Sequence, residues 1–217
     1  MTNNTLVKKL IDDGYLKSQS VIEAFSHIDR ADFVLPEDKE NAYADMPLSI
    51  GHGQTISQPL TVAFMLELLT PKKGDRVLDV GAGSGWQTAL LAHICGVDSS
   101  EKSNNAPFVA AIERIPELAK MAEQNISKYG FMENCSVMVV NGDGARGFPE
   151  MAPFDCIICA ASAPEIMTAW KEQLKVGGRI VAPLENSIVL LEKTGADSFE
   201  RKEFFGFSFV PLVSEMV

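Results

Sequence analysis

The sequence predicts an α/β fold with a doubly wound, mostly parallel sheet of about seven strands, an antiparallel hairpin at its C-terminal edge and an N-terminal helical extension. Three observations support this prediction. From residue 59 onward, short apolar runs alternate with helical patterns, which is typical of a parallel sheet covered on both faces. The last two apolar runs have no helix between them, which favours an antiparallel edge. Residues 4–45 carry apolar side chains at helical spacing.

The individual elements follow from these patterns. LVKKLIDDGYL and SVIEAFSHI predict two helices, the second with Ser18 or Ser20 as its N-cap, and TVAFMLELL predicts a buried helix that ends at Pro71. The predicted strands of the alternating segment are RVLDVG, FVAAIE, SVMVVNG, FDCIICA and GGRIVAPL, and the predicted helices are WQTALLAHI, IPELAKMAEQNISKYG and PEIMTAWKEQL. SIVLLEKT and KEFFGFSFVPLV are the predicted final strands, and residues 97–107 are predicted to form a solvated loop.

Composition and charge limit the classes of function. The chain has 217 residues, 46% of them hydrophobic, and a net charge of −10 from 19 basic and 29 acidic residues. Nucleic acid is therefore not expected as the main partner, since phosphate binding needs a basic face. The first residues contain no apolar signal region, and no apolar run approaches the roughly eighteen residues of a membrane span. We expect a cytoplasmic protein without a membrane segment.

The four cysteines are interpreted as structural. They are Cys95, Cys135, Cys156 and Cys159, and the last two form a C-x-x-C pattern within the predicted strand FDCIICA. Side chains three positions apart in a strand point to opposite faces of the sheet, so one metal ion would not easily bind both thiols. We therefore expect buried thiols and no metal site.

A glycine-rich loop follows the first strand of the alternating segment. It reads Gly81-Ala82-Gly83-Ser84-Gly85, and Trp86 stands where a dinucleotide fingerprint requires its third glycine. A nicotinamide or flavin dinucleotide is disfavoured for this reason, and a phosphate-binding P-loop is excluded because no Gly-Lys-Ser/Thr follows. S-adenosylmethionine suits such a turn, because its amino acid and sulfonium need close backbone approach and it carries no phosphate.

Carboxylates stand at the ends of three successive predicted strands. Asp79 precedes the glycine loop and would place negative charge near the ammonium group of the ligand. Glu113 could accept both ribose hydroxyls, and Asp143, within Gly142-Asp143-Gly144, could accept from an adenine amino group. Any one of them could instead be a helix cap or a surface charge. Three in a row beside a glycine turn favour the ligand, because strand ends meet at one edge of a parallel sheet.

Several motifs carry a resemblance to a known family. VLDVGAGSGWQTALLA, AIERIPELA, NGDGARG, APFDCII, APEI and LKVGGRIVAP resemble the successive motifs of class I S-adenosylmethionine-dependent methyltransferases, which have a Rossmann-like fold. With GHGQTISQP ahead of them and FVPL behind, the chain resembles the protein-L-isoaspartate O-methyltransferase family from about residue 20 to residue 213. The resemblance implies one domain over 1–217, in which 1–58 form a helical extension and an active-site loop and 59–217 form the donor-binding core and C-terminal hairpin.

The resemblance also implies an activity and a set of site residues. Members of the family methylate the free carboxylate of isoaspartyl residues in damaged proteins and peptides, which starts their repair, and S-adenosylmethionine is converted to S-adenosyl-L-homocysteine. A monomer is expected, with Ser57 as the catalytic residue and no metal. Thr55, Ser57, Val210 and Leu212 would bind the acceptor. The residues expected to bind the donor are Gln54, Thr55, Ile56, Asp79, Gly81, Gly83, Ser84, Gly85, Glu113, Arg114, Gly142, Asp143 and Gly144.

The chemistry of this reaction agrees with the polar stretch GHGQTISQP. A carboxylate is already ionised at neutral pH, so neutral donors that position it are sufficient and no general base is required. We interpret His52 as a loop residue beside the pocket and not as a base. Leu60, Ala160 and Met167 depart from the residues usual in the family, which bears on acceptor preference more than on methyl transfer.

Two alternatives stay open from the sequence. One is a methyltransferase with the same donor site and a small-molecule acceptor. The other is a non-catalytic protein that keeps the fold and binds damaged protein ends, against which the presence of Ser57, Glu113 and Asp143 argues.

Overall fold

A computed structural model of the chain describes residues 1–96, 108–133 and 136–214. The predicted loop 97–107 and Cys135 lie outside the described residues. The helices are α1 (Asn3–Asp12), α2 (Gln19–His27), α3 (Pro59–Leu69), α4 (Trp86–Cys95), α5 (Pro116–Ser127) and α6 (Thr168–Gln173). The strands are β1 (Leu48–Gly51), β2 (Gln54–Ile56), β3 (Arg76–Val80), β4 (Phe108–Glu113), β5 (Val137–Asn141), β6 (Phe154–Cys159), β7 (Leu174–Leu184), β8 (Ser187–Lys193) and β9 (Phe199–Phe205).

Seven of these strands form one sheet, in the order β5-β4-β3-β6-β7-β8-β9. The pairs from β5 to β7 are parallel, and β8 and β9 are antiparallel to their neighbours. The predicted α/β fold with an antiparallel C-terminal edge is therefore confirmed. After β5 the chain returns to the other side of β3, so the carboxyl ends of β3 and its neighbours flank the crevice where such sheets bind ligands.

The two faces of the sheet bury separate apolar cores. Successive residues of each strand point to opposite faces, so Val77 joins one core and Leu78 the other. Cys156 and Cys159 divide in the same way, as the spacing predicts, and each is buried as a free thiol. Within the described ranges, no cluster of three histidine, cysteine or acidic side chains could hold a metal ion.

The N-terminal helices are fastened to the rest of the chain by Glu67 of α3. Its carboxylate accepts the backbone N–H groups of Lys17 and Ser18 at 2.8 Å each and the hydroxyl of Ser18 at 2.6 Å. Ser18, not Ser20, is the N-cap of α2, and its hydroxyl bonds to this carboxylate rather than to the helix. Glu67 thus binds the backbone of the two residues that precede α2 and the hydroxyl of its N-cap residue. Across the described part of the chain, no helix has the length and apolarity to cross a membrane.

Two predicted elements differ from those observed. The helix predicted over PEIMTAWKEQL is confined to Thr168–Gln173: residues 164–167, which follow the β-bridge of Ala163 with Leu184, are not helical, and Leu174 begins β7. The last predicted strand ends at Phe205, and Gly206 turns the chain with a φ of 101°. The tail then crosses the carboxyl edge of the sheet and bridges back to the segment that follows β6.

The stretch GHGQTISQP, expected to be a loop, forms the turn and the second strand of a β-hairpin. β1 and β2 pair antiparallel, and the turn between them has positive φ at Gly51, His52 and Gly53. Polar content concealed the strands, since a short two-stranded hairpin has no continuous apolar face.

Candidate active site

The glycine loop between β3 and α4 lies against the end of β4 and against the hairpin. Gly81, Gly83 and Gly85 have φ values of 85°, 56° and 91°, which favour glycine. The N–H of Gly81 donates to the carbonyl of Ile112 at 2.8 Å. A Cβ on Gly83 would lie 3.2 Å from the side chain of Ile50 in β1. The missing side chain therefore lets the hairpin approach the loop closely.

Glu113 ends β4 and connects that strand to the glycine loop. One carboxylate oxygen accepts the N–H of Gly83 and the other accepts the N–H of Ile115, each at 2.9 Å. The side chain is 7% exposed and lines a cavity at the edge of the sheet. Two backbone donors fix the carboxylate in one orientation, as a site for ribose hydroxyls requires.

Asp79 lies beneath the loop and not in the cavity wall. It is fully buried, and it accepts hydrogen bonds from Nε2 of Gln87 and Oγ1 of Thr88, both at 2.7 Å. Burial raises the pKa of its carboxyl from 3.8 to about 6, although the two hydrogen bonds act in the opposite direction. Both of its oxygens therefore bond to side chains of α4, and its charge lies beneath the loop.

Asp143 holds the turn that follows β5. Its carboxylate accepts the N–H of Ala145 at 3.0 Å and the hydroxyl of Ser214 at 2.9 Å. Gly144 in this turn lines the same cavity as Glu113, and its carbonyl accepts the indole N–H of Trp170 at 2.9 Å. The turn is therefore fixed by the C-terminal tail and by α6.

The first cavity lies at the carboxyl ends of β3 and β4, beneath the hairpin and the tail. Its polar wall is the carboxylate of Glu113 and the backbone of the glycine loop, and its other walls are mostly apolar. It is lined by Ile50, Gln54, Thr55, Val80, Gly81, Gly83, Ile112, Glu113, Arg114, Ile115, Gly144, Ala160, Ala161, Val210, Pro211, Leu212 and Val213. An apolar wall suits an adenine ring and a fixed carboxylate suits a ribose, so these residues fit a nucleoside with a short amino acid chain.

A second cavity of about 300 Å³ adjoins the first. None of the described residues that line it is charged, and most of its polar groups are hydroxyls. The lining consists of Pro47, Thr55, Ser57, Gln58, Thr61, Ala160, Ser208, Phe209 and Val210. Thr55, Ala160 and Val210 line both cavities, so the two cavities are neighbours with part of their walls in common.

A third, smaller cavity lies behind the glycine loop. It is lined by Thr55, Ile56, Ser57, Val62, Gly81, Ala82, Gly83, Ser84, Trp86, Gln87 and Ala160. Ile56 and Ser84, both predicted to bind the donor, line this cavity together with Ser57. Thr55 and Ala160 belong to all three cavities and stand at their junction.

The structure separates the predicted site residues into those that line these cavities and those that support them. Gly85, Gly142, Asp79 and Asp143 lie outside the lining. Leu212, predicted to bind the acceptor, lines the first cavity and not the second. His52 is exposed at the tip of the hairpin and lines none of the three. Thr61, Gln58 and Ser208 line the second cavity and were not predicted, since no spacing in the sequence distinguishes them from other polar residues.

One of the three departures from the family pattern lies at the site. Ala160 stands in the wall common to all three cavities. Leu60 is in the first turn of α3, where its N–H donates to Asp45 at 2.9 Å, and Met167 is the buried N-cap residue of α6. Of the three departures, Ala160 is therefore the one that contributes to the cavity walls.

Comparisons with known proteins agree on one family. The family model described as Protein-L-isoaspartate(D-aspartate) O-methyltransferase (PCMT) matches residues 1–217. A protein-L-isoaspartate O-methyltransferase of Methanopyrus kandleri is 43% identical over 215 residues, which cover 97% of this chain and 90% of the relative. One of Flavobacterium psychrophilum is 42% identical over 215 residues, covering 98% and 94%.

A solved structure resembles the whole fold. It is a Plasmodium falciparum protein described as a protein-L-isoaspartate O-methyltransferase, crystallised with S-adenosyl-L-homocysteine. The two folds superpose with a TM-score of 0.88 at 25% sequence identity, over 98% of this chain and 99% of the other. The similarity therefore includes the hairpin and the tail that close the first cavity.

Proposed function

The chain belongs to the protein-L-isoaspartate(D-aspartate) O-methyltransferase family, and we propose that it transfers a methyl group from S-adenosylmethionine to the free carboxylate of isoaspartyl residues in damaged proteins and peptides. The observation that carries this proposal is the junction of the first and second cavities at Thr55 and Ala160. A methyl donor in the first cavity would there lie next to an acceptor in the second.

The first cavity is assigned to the donor. Glu113 accepts the ribose hydroxyls, the apolar walls enclose the adenine, and the backbone of Gly81 and Gly83 lies against the amino acid part. Ser84 and Ile56, which line the third cavity, complete the part of the site that holds the amino acid of the donor. When bound, the donor supplies an electrophilic methyl carbon on a sulfonium. Gln54, Thr55 and Arg114 cover the donor from the hairpin and from the end of β4.

Asp79, Asp143 and two glycines support the donor site. Asp79 holds α4 against the loop and supplies negative charge through space to the donor ammonium. Asp143 fixes the turn that carries Gly144 and is assigned the edge of the adenine. Gly85 and Gly142 allow the backbone to reach these positions: a Cβ on Gly85 would lie 3.1 Å from Cα of Ala122 in α5.

The second cavity is assigned to the acceptor. Its hydroxyls, foremost that of Ser57, donate hydrogen bonds to one carboxylate oxygen and direct the other toward the donor. The acceptor carboxylate is ionised at neutral pH, so no residue has to remove a proton. One oxygen forms the new bond to carbon as the bond between carbon and sulfur breaks, and that electron pair stays on sulfur. Positioning accounts for the catalysis.

An uncharged acceptor cavity favours this reaction over simple binding. Attack of a carboxylate on a sulfonium neutralises two opposite charges, so a cation in the cavity would stabilise the separated reactants more than the transition state. The described lining holds hydroxyl and amide groups and no lysine or arginine. A protein that only captured damaged ends would gain affinity from such a cation, which argues against the binding module.

We also propose that the chain acts as one domain, as a monomer, in the cytoplasm. Residues 1–58 pack against the core of residues 59–217. One contact between them is that of Phe25 of α2, which packs edge-on against Trp86 of α4 with ring centroids 5.4 Å apart. Size-exclusion chromatography with light scattering tests the monomer. The net charge of −10 supports a protein substrate over nucleic acid.

Incubation with labelled S-adenosylmethionine tests the function. We expect label in a synthetic isoaspartyl peptide and none in its normal aspartyl twin. Label in neither peptide, together with donor binding by calorimetry, would leave a small-molecule acceptor as the better interpretation. Binding of the isoaspartyl peptide without turnover would favour a non-catalytic module.

A further inference from the structure

Arg30 is the most completely buried cation of the described chain and lies outside every cavity. It follows α2 and has no exposed surface. Its guanidinium donates to four backbone carbonyls, from Nη1 to Ala42 at 2.7 Å and to Ala44 at 3.3 Å, and from Nη2 to Met46 at 3.0 Å and to Ser57 at 3.1 Å. A buried arginine that bonds only to carbonyls on one short stretch fixes the path of that stretch.

Three of the four carbonyls precede the hairpin, and the fourth is that of Ser57, which lines the second cavity. Met46 precedes β1 and Ser57 follows β2, so one nitrogen of Arg30 joins the two ends of the hairpin. The same guanidinium lies over the indole of Trp86, 5.3 Å from its centroid. Trp86 is the first residue of α4, directly after the glycine loop. Arg30 therefore contacts both the segment that contains Ser57 and the helix that follows the glycine loop.

The charge of Arg30 persists although the side chain is buried. Burial lowers its pKa to about 10, and the nearby carboxylate of Asp45 acts in the opposite direction. The group is thus a cation at neutral pH, and its hydrogen bonds to carbonyls are charge-assisted and stronger than neutral ones. A lysine could not replace it, because one ammonium cannot reach two pairs of carbonyls in a planar arrangement.

We propose that Arg30 is a positioning residue for methyl transfer, which holds the backbone of Ser57 so that its hydroxyl points into the second cavity at a fixed distance from the donor loop. This inference rests on the proposed function. Because Arg30 touches no cavity, it acts on the reaction through Ser57 and Trp86. Small displacements of a positioning group cost large factors in rate, since positioning supplies the catalysis.

Arg30→Lys, with Arg76→Lys as the matched control, tests the proposal. Arg76 also donates to a backbone carbonyl, that of Met151 at 2.8 Å, and also lies 5.3 Å from an aromatic centroid, that of Phe108. It stands at the amino end of β3, away from the site. We expect Arg30→Lys to lower kcat for an isoaspartyl peptide by about ten- to a hundredfold, with the Kd for S-adenosylmethionine changed less than about threefold. Arg76→Lys should keep kcat within about twofold of the wild type.

Hydrogen exchange supplies a readout that does not depend on activity. Amides of residues 42–57 should exchange faster in Arg30→Lys than in the wild type, while those of β3 and β4 stay protected. Adding methylguanidinium to Arg30→Ala should restore part of kcat, and adding it to Arg76→Ala should not. Equal losses of kcat and donor affinity, or unchanged exchange over residues 42–57, would overturn the positioning role. A wild-type protein that does not methylate the peptide would overturn the proposed function, and exchange over residues 42–57 would still test Arg30.

Discussion

The carboxylate of Glu113 accepts the N–H of Gly83 at 2.9 Å, and this bond joins the end of β4 to the glycine loop that follows β3. Glu113 thereby fixes the loop and lines the first cavity with the same group. Under the proposed function, one side chain both shapes the loop and binds the ribose. A substitution of Glu113 should therefore weaken donor binding more than it destabilises the sheet.

Replacing Glu113 should weaken binding of the donor. Glu113→Ala removes the acceptor of the ribose hydroxyls and of the N–H of Gly83, and we expect a loss of about 1.5–3 kcal/mol, the scale of hydrogen bonds to a charged group. Glu113→Gln should also weaken binding, because its NH₂ would face one of two backbone donors. Isothermal calorimetry with S-adenosylmethionine measures both. Glu117→Gln, on the exposed first turn of α5, is the control, and an unchanged Kd in Glu113→Ala would exclude Glu113 from the site.

Replacing Ser57 should affect the acceptor and not the donor. Ser57→Ala removes one hydroxyl from the second cavity, and we expect kcat for an isoaspartyl peptide to fall by roughly ten- to a hundredfold. Donor affinity should hardly change. Steady-state kinetics and calorimetry on the same preparation separate the two effects. Ser49→Ala, on the exposed face of the same hairpin, should behave as the wild type. Full activity in Ser57→Ala would mean that the stretch GHGQTISQP has only a structural role and that the acceptor binds elsewhere.

The centre of the sheet could be predicted from the sequence because β3, β4 and β6 are buried on both faces. Their continuous apolar runs, such as VLDV and VAAI, are typical of parallel strands covered on both sides, and the helices between them have clear periodicity. The boundaries near α6 and after Phe205 could not be predicted, since they depend on bridges between segments distant in sequence, such as Ser162 with Pro211.

The candidate site was predictable where its chemistry lies at strand ends. Glu113 and the glycine loop could be inferred because parallel strands bring their carboxyl ends together. Arg30 could not, because its four acceptors follow it by 12 to 27 residues and are carbonyls, which every residue has. Asp79 shows a second limit: its position before the loop was evident, but its burial against Gln87 and Thr88 depends on the packing of α4.

Asp79 should make the stability of the fold depend on pH. The pKa of its carboxyl rises from 3.8 in the unfolded chain to about 6 in the fold, so the folded state binds the proton more tightly. The contribution of this group to the free energy of unfolding therefore decreases as the pH rises from about 4 to about 6, by at most about 1.4 kcal/mol for each pH unit. Above that range the carboxyl is ionised in both states, so its contribution to the free energy of unfolding no longer changes with pH.

Asp79→Asn, which cannot ionise, isolates this contribution. We expect the difference in unfolding free energy between Asp79→Asn and the wild type to shift in favour of the variant between pH 4 and pH 7. Urea unfolding at several pH values, without donor, measures it. Asp155→Asn is unsuitable as a control because Asp155 pairs with Lys175 at 2.7 Å, so the exposed Asp13→Asn is preferred. Parallel curves for Asp79→Asn and the wild type would show that the carboxyl titrates alike in both states.

The stability of the fold should also depend on pH through His93. His27 of α2 stacks on His93 of α4, with ring centroids 4.8 Å apart and planes 26° apart. Burial lowers the pKa of His93, the nearby His27 lowers it further, and Glu23 acts in the opposite direction. The folded state therefore favours neutral His93, and the stability due to this residue is complete above about pH 6.5 and is lost as the pH falls below that value.

Single replacements of the three histidines test this expectation. In His93→Gln the loss of stability between pH 7 and pH 5 should be smaller than in the wild type, because no proton is bound on unfolding at that position. His27→Gln should also reduce the loss, because the nearby His27 lowers the pKa of His93. His52→Gln, at the exposed tip of the hairpin, is the control replacement. Thermal or urea unfolding at pH 5, 6 and 7 supplies the measurement. If His93→Gln lost as much stability in acid as the wild type, His93 would not be the group responsible for the acid sensitivity.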